Sequence, residues 1–162
     1  MNFEQYKYTM PETTKNKAAR ALKILDILTA EYPDAGCHLD YNNPFELLIS
    51  TLLAAQCTDE RVNAVMVPLY KTYKTPVDFL KLTPAELEHE LRSINFFRNK
   101  TKSVLSCCAS LVNDHNGEVP KTMDELTKLA GVGRKTANVV LGNCFGEPAI
   151  MTDTHLNRVS GR

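Results

Sequence analysis

Apolar positions along the chain recur at helical spacing, and a strand-like alternation never persists. Residues 1–14 are polar and read as a flexible N-terminus. From about Lys15 to Glu31 an apolar stripe through Leu22, Leu25 and Leu28 predicts a first helix, stopped by Tyr32-Pro33. Asn43 followed by Pro44 reads as a cap and first helical residue, with the helix continuing through "FELLISTLLAAQC". Its apolar residues lie all round, which predicts a buried central helix.

A third helix is expected from Asp59 to about Tyr73, and a short turn of helix near Val77–Leu80. Thr83 and Glu86 flank Pro84 as a capping box for "AELEHEL". "NFFRNKTKSVLSCCASLVNDHNG" reads as a loop and a long helix ended by Asn116-Gly117. Thr122 and Glu125 suggest a second box and a short helix through Leu129. A glycine turn then leads into a helix from Arg134 to Cys144. The fold class expected is all-α.

Composition narrows the class. The chain has 162 residues, 43% of them hydrophobic and 23% charged, enough for one domain with a real core. Lys+Arg and Asp+Glu are both 19, so any polyanion site must be a local patch and not a global field. Residues 91–110 hold Arg92, Arg98, Lys100 and Lys102 and no acid, and 121–162 hold six bases against four acids. Together these runs would suit a phosphate-binding strip. Five cysteines (37, 57, 107, 108, 144) show no CxxC pair, so reduced thiols and no metal site are expected. The start "MNFEQYKYTM" is unlike a signal peptide, and Leu47 to Ala55 is too short to span a bilayer. A cytoplasmic protein without membrane attachment follows as the expectation.

The chemistry concentrates in "LAGVGRKTANVVLGNCFG", Leu129 to Gly146. Gly131, Val132, Gly133 and Arg134 lead directly to Lys135, placing two cations at a helix start, where the dipole disfavours them. A phosphate-cradling P-loop is excluded, because Lys128 stands where its first glycine must be, and no strand precedes. Two readings remain on spacing alone. One is a plain helix–helix turn; the other is a helix-hairpin-helix whose amides meet a DNA phosphate.

"LAGVGRKTANVVL" followed by "MTDTHLNR" resembles the endonuclease III family of base-excision DNA glycosylases. "NPFELLISTLLAAQCTD", "HNGEVP", the hairpin and "DTH" fall in the family's order, from about residue 15 to the end. The most specific feature is the hairpin lysine with "DTH" eighteen residues later. The resemblance implies a helical-barrel domain over 36–149 with the hairpin at 123–144. It makes residues 15–35 the N-terminal helix, and 150–162 a stub, of an incomplete second lobe.

The resemblance also implies roles. Lys135 matches the family's nucleophile, which forms a Schiff base with the sugar so that base removal and strand nicking are coupled. Asp153 matches its catalytic aspartate; read alone, it would also suit a helix N-cap. Gly131, Val132, Gly133 and Arg134 match the phosphate-binding turn. Gln56 and Phe96 match positions that fill or wedge the stack when a nucleotide is flipped out. A lysine nucleophile must shed its proton, and the helix start, Arg134 and partial desolvation are expected to favour the neutral amine.

The implied activity is removal of oxidised pyrimidines from damaged double-stranded DNA, with apurinic/apyrimidinic lyase nicking. The alternative is a non-catalytic hairpin DNA-binding module. The family usually carries a [4Fe-4S] cluster on four cysteines in later helices. None of the present cysteines falls at those positions, so no cofactor is expected in this chain. Weak activity, and a monomer unless the first helix drives self-association, are the corresponding expectations.

Overall fold

A computed structural model describes residues 12–152 and 154–161. The described secondary structure is entirely helical, in the order α1 (Thr14–Glu31), α2 (Pro44–Ala54), α3 (Asp59–Thr72), α4 (Pro76–Phe79), α5 (Pro84–Glu90), α6 (Phe97–His115), α7 (Met123–Leu126), α8 (Arg134–Phe145) and α9 (Thr154–Ser160). Among the described residues no helix is long and apolar enough to cross a membrane.

The chain divides into two compact units, Met1–Gly36 and Cys37–Arg162. In the first, Thr13 caps α1 by accepting from the Asn16 amide, and Arg20 bridges to Glu12 at 2.7 Å. The stripe predicted for this helix stays exposed: Leu22, Leu25 and Leu28 are 62%, 58% and 47% accessible.

The second unit is built round α2. Asn43 Oδ1 accepts from the Glu46 amide at 2.9 Å with Pro44 at the first helical position, as the sequence predicts. Leu47, Leu48, Ile49 and Leu53 are fully buried, because α3, α6 and α8 all pack against this one helix. Burying four large aliphatic side chains contributes roughly 6–12 kcal/mol of apolar transfer before entropy opposes it. The Tyr70 hydroxyl closes a polar knot in this core, donating to the Glu46 carbonyl and pairing with Ser50 Oγ, both at 2.9 Å.

Several boundaries differ from the sequence expectation, each for a local reason. Helix α2 stops at Ala54 instead of running through Cys57, because Gln56 turns left-handed (φ 55°). Thr75 and Asp78 form a full capping box on α4 that the sequence reading missed. Thr83 and Glu86 form the predicted one on α5. At α7 the box is only half built: Thr122 Oγ1 accepts from the Glu125 amide, but the Glu125 carboxylate takes the Thr122 hydroxyl. Helix α6 ends as expected, with Asn116 left-handed and the Gly117 amide donating to the Leu111 carbonyl at 2.7 Å.

Candidate nucleic-acid interface

The hairpin is α7, the turn 127–133 and α8. Within it the two glycines have different tasks. Gly131 sits at φ +78°, and a Cβ there would stand 3.0 Å from Ser103 Cβ and 3.1 Å from Leu52 Cδ1. It therefore supplies both the left-handed turn and the close seating of that turn on α2 and α6. Gly133 is extended (φ −93°, ψ 174°), and a Cβ on it would meet nothing within 4 Å. No local backbone demand requires glycine there. Its open face leaves room for a ligand to approach the chain.

Gly133 also begins α8 with no side-chain cap, and the first turn contains no acid. A helix start has amides without an intrahelical acceptor and the positive end of the dipole, which together favour an anion. Arg134 and Lys135 both project into solvent. Ala137, one turn into α8, takes the core face of this helix start. Val132 is turned inward. Its side chain is buried and its amide donates to the Leu129 carbonyl at 3.1 Å, so it contributes to the seat of the turn and not to a surface.

Gln56 and Phe96 stand on two segments joined by a hydrogen bond. Among the described residues three non-glycine residues have positive φ: Gln56 (55°), Phe96 (58°) and Asn116 (53°). Asn116 is an ordinary helix terminator. A bulky phenylalanine and a glutamine in the left-handed region cost energy, and persist only where the surroundings hold them. Both are exposed, Phe96 by 64%. The Asn95 side chain donates to the Gln56 carbonyl, joining the two positions directly. From the other side Arg61 Nη1 donates to the Ser93 carbonyl at 3.3 Å.

The basic run over residues 91–110 loses one of its four cations to the core. Lys100 is only 8% exposed and donates inward to the carbonyls of Leu53 (2.8 Å) and Ala55 (2.6 Å) at the end of α2. Burial pushes its pKa down, with Cys57 opposing. Arg92 bonds His89, and Arg98 lies 5.3 Å from the Phe97 ring centre and 3.9 Å from Glu88. With Lys100 turned inward, the run supplies three exposed cations instead of four, and two of them have partners within the protein.

Asp153 lies outside the described residues. The chain leading to it is placed, however. Ala149 Cβ would touch a Cβ on Gly142 at 3.7 Å, and Asn138 Nδ2 donates to the Ile150 carbonyl at 3.1 Å. The segment therefore runs back along α8 toward the end that carries Lys135.

No group of three or more His, Cys, Asp or Glu among the described residues could hold a metal ion. Cys107 and Cys108 are core residues of α6, and burial raises both thiols, Cys107 to about 12. These cysteines do not fit an iron–sulfur cluster.

Residues 49–162 match the family described as HhH-GPD superfamily base excision DNA repair protein. The chain is 48% identical over 138 residues to endonuclease III of Bacillus subtilis, covering 85% of this chain and 63% of that one. The chain belongs to that family. It is also 43% identical to the Escherichia coli K12 endonuclease III over 147 residues, 91% of this chain and 69% of the relative. It thus spans about two thirds of the length of these relatives. Among solved structures, an endonuclease III in a non-covalent complex with DNA superposes with a TM-score of 0.82 at 49% identity, covering 92% of this chain and 68% of that one. A trapped covalent endonuclease III–DNA intermediate matches equally, with the same TM-score of 0.82. As a family member the chain has the all-α fold expected of it.

Proposed function

We propose that this chain is a DNA glycosylase with apurinic/apyrimidinic lyase activity, acting on oxidised pyrimidines in damaged duplex DNA. The observation that carries the reading is the exposed Lys135 in the first turn of an uncapped helix, behind a glycine whose face is open. Membership of a base-excision repair family supports it. The amides at Gly133 and Arg134 hold a backbone phosphate without reading sequence. Gln56 and Phe96 enter the stack beside a flipped nucleotide.

The Lys135 amine, once deprotonated, attacks C1′ of the damaged nucleotide. A C–N bond forms as the bond to the base breaks, and the base departs with the electron pair and takes up a proton. Opening of the sugar ring leaves an iminium on Lys135. Loss of a C2′ proton then expels the 3′ phosphate and nicks the strand, and water hydrolyses the iminium to free the lysine. Asp153 assists deprotonation of the lysine and stabilises positive charge developing on the sugar. The damaged duplex buries the Lys135 side chain further.

Borohydride reduction on abasic-site duplex tests this. A covalent protein–DNA adduct that requires Lys135 is the expected result. Retained duplex binding with no adduct would instead assign a non-catalytic hairpin module.

A further inference from the structure

Lys100 and Asn95 have no part in the chemistry above, yet Lys100 from the first turn of α6 and Asn95 from just before it both reach the end of α2 and the turn that follows, residues 53–56. Lys100 is buried and gives two of its donors to the Leu53 and Ala55 carbonyls. Those carbonyls end α2 and have no intrahelical partner, and the negative end of the helix dipole favours a cation there. Asn95 takes the next carbonyl, that of Gln56. Three acceptors around the left-handed Gln56 are therefore bonded to one neighbouring segment. That same segment contains Phe96, also left-handed, between the two donors in sequence.

Burying a lysine is costly, and carbonyls at a helix end are more cheaply met by water. The cost is offset if the turn must hold one strained shape in the absence of ligand. Gly131 sets the hairpin against Leu52, which precedes the acceptor Leu53, and Ser103, which follows the donor Lys100 by three residues. The bracket thus ties Gln56 and Phe96 to the hairpin's own seat.

We infer that Lys100 and Asn95 are positioning residues that lock the Gln56 turn and Phe96 into one rigid two-pronged element, so that both prongs enter a lesion together. This rests on the proposed reading of Gln56 and Phe96 as residues that enter the DNA stack. Without the bracket Gln56 relaxes toward ordinary backbone angles, and its side chain leaves the direction set beside Phe96. Recognition of a lesion then falls, whereas phosphate contact through α8 does not.

The test compares affinity for duplex containing a tetrahydrofuran abasic analogue with affinity for intact duplex. It uses wild type, Lys100→Met, Gln56→Ala and the double variant of the full chain. Lys100→Met keeps the aliphatic stem and removes the donors. It is expected to lower the lesion preference about tenfold, and to lose most of that effect once Gln56 is alanine, since residues acting through one another are non-additive. Amide exchange at residues 55–57 should quicken in the same variant. Asn95→Ala leaves no buried group unpaired and repeats the test, with a smaller loss, if Lys100→Met does not fold. Equal losses with and without the Gln56 side chain, or an equal loss on intact duplex, would overturn the inference and leave Lys100 a purely structural residue. A wild-type chain with no preference for the abasic analogue would overturn the stacking reading and this inference together. Preference in wild type with additive losses would overturn the bracket alone.

Discussion

Asn138 Nδ2 donates to the Ile150 carbonyl at 3.1 Å, which fastens the chain three residues ahead of Asp153 to α8, one turn beyond Lys135. The bond lies on an exposed face, so it contributes only about 1 kcal/mol to folding. Its larger consequence is directional: it sets where the next residues begin.

Asn138→Ala should therefore lower the melting temperature by only about 2–4 °C while slowing base removal about fivefold, the rate equivalent of about 1 kcal/mol. Single-turnover kinetics beside a thermal melt checks this. A variant that melts early but turns over normally would show that the bond serves stability alone.

Lys135→Gln should abolish both nicking and covalent trapping while duplex affinity changes little, because it leaves untouched the phosphate contact proposed for Gly133 and Arg134. Asp153→Asn should slow base removal about 100-fold or more with little change in affinity, since a carboxylate acting on developing charge contributes in the transition state. Persistent trapping by Lys135→Gln would place the nucleophile elsewhere, with the N-terminal amine the first alternative.

The two hairpin glycines should separate folding from binding. Gly131→Ala forces a Cβ to 3.0 Å from Ser103 in a left-handed backbone and should cost about 1–3 kcal/mol of stability. Gly133→Ala meets no atom within 4 Å and should fold normally, yet weaken binding to every duplex by crowding the phosphate. Urea unfolding and duplex titration of both variants decide the matter. Equal destabilisation by the two, or unaltered binding by Gly133→Ala, would contradict this division.

Asp78 provides a pH dependence away from the site. Hydrogen bonds from Lys81 and then Thr75 hold its carboxyl down at about 2. A carboxyl depressed in the folded state contributes stability above its unfolded pKa, about 3.9, and loses it as the pH falls through the folded value. The difference in melting temperature between wild type and Asp78→Asn should be full at pH 7 and shrink between about pH 4 and pH 2. A difference constant across that range would mean that the Asp78 charge is immaterial and only its geometry as a cap counts.

The helices were legible because their signals are local. Asn43-Pro44, the Thr83–Glu86 pair and Asn116-Gly117 each satisfy backbone groups within a few residues, so a linear reading recovers them. The buried character of α2 was equally plain, since apolar residues on every side leave a helix no other stable place. Lys135 was legible too, as a cation where a helix start disfavours one. What the linear reading got wrong was long-range. Lys100 looked like part of a phosphate strip, but its partners are the carbonyls of Leu53 and Ala55, more than forty residues away. The early end of α2, the left-handed Gln56 and its bond from Asn95 depend on the same distant pairing. The amino-acid sequence by itself determined the elements, the core helix and the cations at the mouth of α8, because local hydrogen bonding and apolar periodicity are written within one or two turns. Only the tertiary structure decided which cations face solvent and which residues share the site, because a buried ammonium goes to whichever unpaired carbonyls packing brings within reach.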